Sequence, residues 1–451
     1  MSATAAAPVR SAPSNGARGR ASAGMPPGPG WPILMQTAIW SRSAQWLLRQ
    51  CHARYGETFQ LQIAYEGTWV FLTNPEDVKQ VFTGDPKLLH AGEANRILLP
   101  VVGPHSLLLL DRDEHMEHRK LLLPPFHGKR MKAYGDLMAE IAAAEIDRWP
   151  LGEPYQLRQR MQAITLDIIL RAVFGMTEGE RMGRLREELR RLLDMVTDPR
   201  RILFLLLMGP ERIREFRPFQ RDMERIDKLI YAEISDRRDA GDLEDREDIL
   251  SMMLLGRHED GSPMSDEEVR DELVTLLVAG HETTATSLAW AVERLARHPD
   301  KLARLTEEVA AGDDAYLKAV VLETLRLRPV ISLVNRTLKE PMEFGGYELP
   351  AGFKIAPCIY LMHRRPDIYP EPDRFLPERF LDNPPGTYTW IPFGGGVRRC
   401  LGGAFAQFEM EVVLRELVAR RTLAPSRRGD ERNFRRAITE TPRHNAEVIL
   451  R

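Results

Sequence analysis

The chain is poor in cysteine, has no long apolar run, and carries almost no net charge. Its 451 residues include three cysteines, Cys51, Cys358 and Cys400. Three scattered thiols cannot form a disulfide framework or a zinc-ribbon spacing, and they fit a reducing, cytoplasmic setting. No segment reaches the roughly 18 uninterrupted apolar residues that a membrane span needs. The most apolar stretch, ILFLLLM at residues 202–208, is far too short, although it could touch a membrane surface or line a pocket. A formal net charge of −2 provides no global basic field, which argues against nucleic acid as the main partner. The first two dozen residues lack the apolar core of a secretory signal and read as a disordered leader over 1–24. No internal repeat and no later low-complexity linker is present.

What is present reads as one mainly α domain over 25–451, with small peripheral sheets. A hydrophobic content of 43% with 28% charged residues suits a globular enzyme. TFQLQI alternates Phe59, Leu61 and Ile63, and a turn at Glu66-Gly67 leads to TWVFL, which predicts a hairpin. A second strand-rich patch, MEFGGYELPAGFKIAPCIYL, has turns at Gly345-Gly346 and Ala351-Gly352. Between these patches helical patterns dominate, and helix resumes after Gly403 to about Arg421.

One helix is predicted to be exceptionally long. Ser265 and Glu268 form a capping box, with Met264 and Val269 as its hydrophobic staple. No proline follows until Pro299, so a helix over 266–297 would span about 48 Å. Its centre, Ala279-Gly280-His281-Glu282-Thr283-Thr284, places a glycine, a carboxylate and hydroxyls in a helix interior. Glycine weakens such a site, and hydroxyls can divert backbone hydrogen bonds. A groove and a proton route could form there. The same residues also fit a buried helix in which Gly280 permits close packing and the threonines bond backward.

The most informative stretch is PFGGGVRRCLGGAF, from Pro392 to Phe405. Consecutive glycines let the backbone turn tightly and approach a flat group. Cys400 lies beside Arg398 and Arg399 at the start of a helix, a setting that favours the metal-binding thiolate. Phe393 could cover the sulfur. The bare residue is also compatible with a structural cysteine, as expected for Cys51 and Cys358.

Phe393, Gly396, Arg398, Cys400 and Gly402 match F-x-x-G-x-R-x-C-x-G, and by this motif the chain resembles the cytochrome P450 family, soluble bacterial type. Three further motifs occur in the family's order. Residues 279–284 resemble its oxygen-activation motif, which implies Glu282 and Thr283 as a catalytic acid–alcohol pair. Glu323 and Arg326 form E-x-x-R on a stripe with Tyr316, Ala319, Val320 and Leu327, and the resemblance adds Arg379 as the third member of a buried network supporting the cysteine loop. His115 and Arg119, spaced i, i+4, are assigned to the haem propionates together with Arg398 and Arg336; His115 stands where many relatives carry tryptophan. Ala279, Gly280, Pro392, Phe393, Gly394 and Gly402 complete the implied cofactor contacts, and Cys400 is the implied iron ligand. His118, His127 and His363 are expected to be solvated or capping residues.

The resemblance implies haem b with an axial thiolate from Cys400, and insertion of one atom of O2 into a C–H or C=C bond of a lipophilic small molecule. A peroxygenase, an oxygen-independent rearranging enzyme and a haem-based sensor are alternatives on the same fold. No flavin- or nicotinamide-binding pattern occurs in the sequence. Electrons are therefore expected from elsewhere, and the resemblance to soluble bacterial members implies a small acidic ferredoxin served by an NAD(P)H-dependent ferredoxin reductase. Lys120, Lys129, Arg130 and Arg399 are candidates for the docking face, although these also fit an ordinary solvated surface. The protein is expected to be a monomer. Substrate contacts are expected from residues 90–110, 201–219, the long-helix centre and 330–334.

Overall fold

The computed structural model describes residues 24–126, 129–175, 179–196 and 209–451. The leader up to residue 23, His127 and the apolar segment 202–208 lie outside the described residues, as do the side chains of Lys129 and Arg130. Among the described residues, no helix is long and apolar enough to cross a membrane.

The helical core is built around Asp266–Arg297, which starts and ends where its signals predict. The capping box forms in both directions, from Glu268 N–H to Ser265 Oγ at 3.2 Å and from Ser265 N–H to Glu268 Oε2 at 2.7 Å. Met264 and Val269 are both buried at its entrance. Every residue from 284 to 296 is buried, as expected for a helix surrounded by other elements. It packs on Arg158–Phe174 on one side and on Gly403–Arg420 on another. The helix is continuous through Gly280. Its hydroxyls bond backward without breaking it, Thr283 Oγ1 to the Ala279 carbonyl at 2.6 Å and Ser287 Oγ to the Thr283 carbonyl at 2.9 Å.

A five-stranded sheet stands beside this core in the order Thr58–Ile63, Gly67–Leu72, Lys354–Pro357, Arg336–Leu338, Leu89–His90. The hairpin pairs Phe59 with Phe71 and Leu61 with Trp69. Strand side chains alternate between faces. Trp69 and Phe71 therefore pack with Trp40, Leu47 and Leu48 of helix Ile33–Tyr55, while Val70 and Leu72 pack with Val78, Val81 and Phe82 of helix Pro75–Thr83. Helix Ile33–Tyr55 did not show in the sequence pattern; non-helical Ser43 interrupts its periodicity. The turn at Gly345-Gly346 joins Met342–Phe344 to Tyr347–Leu349, with both glycines at positive φ, 59° and 80°. Non-glycine residues adopt such angles only at a cost.

Between the long helix and Gly403–Arg420 lies the carboxyl of Glu409. Burial holds it well above the ordinary carboxylate range, a hydrogen bond with Thr284 opposing only in part, and its Oε1 has no partner. The folded protein thus keeps a proton that the unfolded chain releases, so stability falls as pH rises above the ordinary carboxylate value. Glu409→Gln is expected to melt above the wild type at about pH 8, with a smaller advantage at about pH 5. Thermal melts at the two pH values check this, and an equal advantage at both would exclude a buried protonated carboxyl.

Candidate active site

The cysteine loop has little regular structure, and distant residues hold it. Burial holds His363 well below its ordinary value, so the ring is neutral. The backbone N–H of Ile391 donates to its Nε2 at 2.8 Å, so that nitrogen must be bare. The proton therefore sits on Nδ1, which donates to the Arg326 carbonyl at 3.2 Å. Trp390 adds a second tether, its Nε1 donating to the Leu322 carbonyl at 3.2 Å. His363 is completely buried, not solvated or capping as expected, and it connects the E-x-x-R helix to the residue before Pro392. The expectation for His118 is also corrected: it is buried, with Nδ1 3.0 Å from Glu272 Oε1.

Glu323 and Arg326 are 0% exposed and pair through two contacts, at 2.7 and 2.9 Å. Arg326 also donates to the carbonyls of His363, Pro372 and Arg374. Glu323 accepts from Leu376 N–H at 2.8 Å and lies 3.2 Å from Arg379 Nε. A buried ion pair is tolerable only when its remaining hydrogen-bonding capacity is used in this way.

The loop's glycines have a reason that the sequence did not reveal. A Cβ on Gly395 would lie 2.2 Å from Phe82 Cδ2, and one on Gly396, at φ 65°, would lie 2.1 Å from the Phe82 carbonyl oxygen. Backbone and ring of Phe82 occupy the space that side chains would need. Gly394 has φ 67° and Gly402 stands at the cap of Gly403–Arg420, where an added Cβ would meet nothing. Half-buried Pro392 opens the loop. The Phe393 carbonyl accepts from Cys400 N–H at 2.9 Å, and a Cβ on Gly403 would lie 3.2 Å from its ring.

Cys400 is reachable by solvent, yet enough protein surrounds it that burial pushes its thiol up. The Gly402 N–H, Arg119 and Arg399 pull the other way. The helix start and Arg399 act in the direction that the sequence predicts, and burial outweighs them. A metal cation would restore the balance.

Beside the loop cations outnumber anions: of Arg119, Arg336 and Arg398, only Arg398 has an ion pair among the described residues, with Asp111. His115 is held down to about 3 by burial and by Arg398, Arg119 and Arg336. Arg336 is buried and lowered to about 10 by burial and by Arg398. Burial brings Arg398 to about 10 as well, with Asp111 opposing. Its guanidinium donates to the carbonyls of Leu107 and Leu110, and lies 2.6 Å from Asp111 Oδ1. Asp111 also accepts from Gly92 and Glu93 N–H groups at 2.8 and 2.9 Å, so one carboxylate serves several donors. Sequence reasoning missed Asp111, whose place before Arg112–Leu122 looks like an ordinary cap although its side chain makes no cap bond.

The long helix exposes a short stripe inside an otherwise buried stretch. Ala279 is exposed, and Leu276, Gly280 and Thr283 are half-buried. Their spacing puts them on one face. A Cβ on Gly280 would lie 3.2 Å from Ile169 Cδ1, so close packing is part of its role. Glu282 points elsewhere: it is buried and pairs with Arg158 Nη1 at 3.2 Å, with Gln162 Nε2 also bonded to it. The structure brings His115, Arg119, Arg336 and Arg398 into one charged group and separates Glu282 from the Thr283 face.

A family model described as Cytochrome P450 matches residues 25–447. The chain belongs to the cytochrome P450 family. It is 43% identical over 439 residues to a Mycobacterium bovis protein carrying the name cytochrome P450 135B1, covering 96% of this chain and 93% of that one. A Mycobacterium tuberculosis protein named cytochrome P450 138 is 40% identical over 437 residues, covering 95% and 96%. The solved structure of retinoic acid bound cyanobacterial CYP120A1 superposes with a TM-score of 0.81 at 23% identity, covering 95% of this chain and all of that chain, a likeness of fold.

This cytochrome P450 is a haem-dependent monooxygenase, and in its family a cysteine thiolate binds the haem iron. The residues present fit that group. The solvent-reachable Cys400 sulfur would meet the metal, Arg119, Arg336 and Arg398, which have one ion pair between them among the described residues, would meet the two propionates, and the Ala279 stripe is uncharged. Glu323→Gln, which keeps the shape but leaves Arg326 without its counter-charge, is expected to cost about 3–5 kcal/mol. Thermal melts of the haem-loaded protein check this; an unchanged midpoint would show that the pair does not support the loop.

Proposed function

We propose that this cytochrome P450 uses Cys400 as its axial ligand and oxygenates a lipophilic small molecule, with electrons delivered by a separate ferredoxin and its NAD(P)H-dependent reductase. The observation that carries the reading is a solvent-reachable Cys400 sulfur beside Arg119, in a group with Arg336 and Arg398 of which only Arg398 has an ion pair among the described residues. His115, Arg119, Arg336 and Arg398 hold the propionates of haem b, His115 as a neutral donor. Bound haem supplies the activation of O2 and its insertion into a C–H or C=C bond, assisted by electron donation from the thiolate.

The chain's own residues control protons and water. Thr283 is half-buried on the partly exposed stripe of the long helix, its hydroxyl anchored on the Ala279 carbonyl. Glu282 is one residue away and faces the Arg158–Phe174 helix, so a proton passes from its carboxyl to the Thr283 face only after the carboxyl leaves Arg158 and Gln162. Arg158 is itself held by Asn445 at 2.9 Å, and these partners set how readily Glu282 swings. The pair Glu282 and Thr283 thus acts as a gated relay.

The lipophilic substrate class is supported by the uncharged stripe at 276–280 and by the apolar side chains at 330–334. An exposed Arg399, with no ion pair among the described residues, supports an acidic ferredoxin partner on the cysteine side. Lys120 is less free, since Glu259 lies 2.8 Å away. Two buried, unpaired thiols, Cys51 and Cys358, suit a reducing cytoplasm.

Cys400→Ala is expected to lose the thiolate-type Soret band of the reduced carbonyl complex. Thr283→Ala is expected to keep haem and that band while diverting reducing equivalents to hydrogen peroxide. NADPH consumption, peroxide and product measured together check this, and tightly coupled turnover in Thr283→Ala would remove the hydroxyl from the mechanism. The substrate class is tested by a panel of lipophiles scored for a spin-state shift; a shift only with charged, hydrophilic compounds would overturn it.

A further inference from the structure

One cluster of metal-binding side chains has no part in the reaction described above. His118 lies on Arg112–Leu122, and Glu268 lies in the first turn of the long helix. His258 sits in a tight turn, closed by hydrogen bonds from His258 N–H to Ser262 O and from Gly261 N–H to His258 O, both at 2.9 Å. One ligand atom from each of the three lies within 4.8 Å of the others.

Their orientation is that of a ligand set. The Nε2 atoms of His118 and His258 each lie 3.5 Å from Glu268 Oε1. That is longer than an ordinary N–H···O hydrogen bond. It is close to the roughly 3.3 Å that separates neighbouring ligand atoms around a tetrahedral ion with bonds of about 2.0–2.1 Å. The outer nitrogens are occupied by carboxylates. His118 Nδ1 is 3.0 Å from Glu272 Oε1, and His258 Nδ1 is 3.2 Å from Glu117 Oε1. A carboxylate at Nδ1 fixes the proton there and directs the Nε2 lone pair inward, an arrangement general among metal-bound histidines. Three carboxylates surround two imidazoles, and Glu272, 0% exposed, leaves its Oε2 without a partner. Burial pushes the Glu272 carboxyl up, so the carboxylate that faces both converging lone pairs is Glu268. His258 and Glu268 are only half-buried, so an ion can enter.

We propose that His118, His258 and Glu268 bind one divalent ion of the zinc type, with Glu272 and Glu117 orienting the two rings. Two imidazoles and one carboxylate suit zinc and leave a fourth position for water. The ion joins three elements: the helix that carries His115 and Arg119, the His258 turn and the start of the long helix. His118 is adjacent to Arg119 in sequence, so the ion steadies the helix that supplies the haem-edge cations. This proposal is independent of the assignment of Cys400.

The test uses haem-loaded, untagged protein, stripped with a chelator and dialysed against zinc chloride at neutral pH, with zinc and iron measured by elemental analysis. One tightly held zinc per chain is expected in the wild type. His258→Ala and Glu268→Gln are expected to weaken zinc binding at least about tenfold, and the outer variant Glu117→Gln about tenfold. Glu268→Gln keeps the helix cap, because glutamine serves equally in a capping box, so its loss of zinc reports on the ion rather than on folding. His52→Ala should bind zinc as the wild type does, and the Soret band verifies each variant's fold. Substoichiometric zinc in the wild type, or equal retention in wild type and Glu268→Gln, would overturn the proposal and leave a cluster bridged by protons.

Discussion

The sulfur of Cys400 sits on a loop with a few internal turns and no long helix or strand of its own, and much of the surrounding structure holds that loop in place. The loop is suspended from the E-x-x-R helix through His363 and Trp390, both of which reach main-chain atoms. Main-chain anchors fix position more firmly than paired flexible side chains, because little rotamer freedom remains to be lost. Arg326 then collects three carbonyls from the segment between that helix and the loop. The charge of Glu323 keeps this arginine tolerable at zero exposure. The same loop delivers Arg398 to the carbonyls of Leu107 and Leu110. Sulfur position and the geometry of the charged edge are therefore set by one frame.

The long helix divides two kinds of chemistry between its faces. Thr283 and Ala279 lie on a partly exposed stripe, whereas Glu282 is buried and paired with Arg158. A carboxyl held by Arg158 and Gln162 can reach the opposite face of the helix only after both contacts open. The hydroxyl's bond to the Ala279 carbonyl satisfies it locally without breaking the helix.

Much of this was legible in local sequence. The capping box, the staple and the glycine turns act over a few residues, and the structure realises each of them. The buried E-x-x-R pair followed from a helical stripe. Partners hundreds of residues apart carried no signal: Phe82 beneath Gly395 and Gly396, Asp111 beneath Arg398, and Arg158 beside Glu282. His118 and His363 looked like surface residues because a histidine's burial depends on distant acceptors. Nor could the sequence weigh burial against nearby positive charge at Cys400, because burial depends on everything packed around the loop.

The wedge of Phe82 against the two glycines has a consequence for how the chain assembles. Phe82 belongs to a helix packed on the early hairpin, and the glycines arrive more than three hundred positions later. Contacts of such separation close late, since the entropy of the intervening loop must be overcome first. The surface around Phe82 is itself completed by Arg336–Leu338 and Lys354–Pro357, so the sulfur-bearing bend settles against it only once nearly all the polypeptide exists. Cofactor capture then becomes a checkpoint on the completed chain, because the bend acquires its shape only when both ends have met.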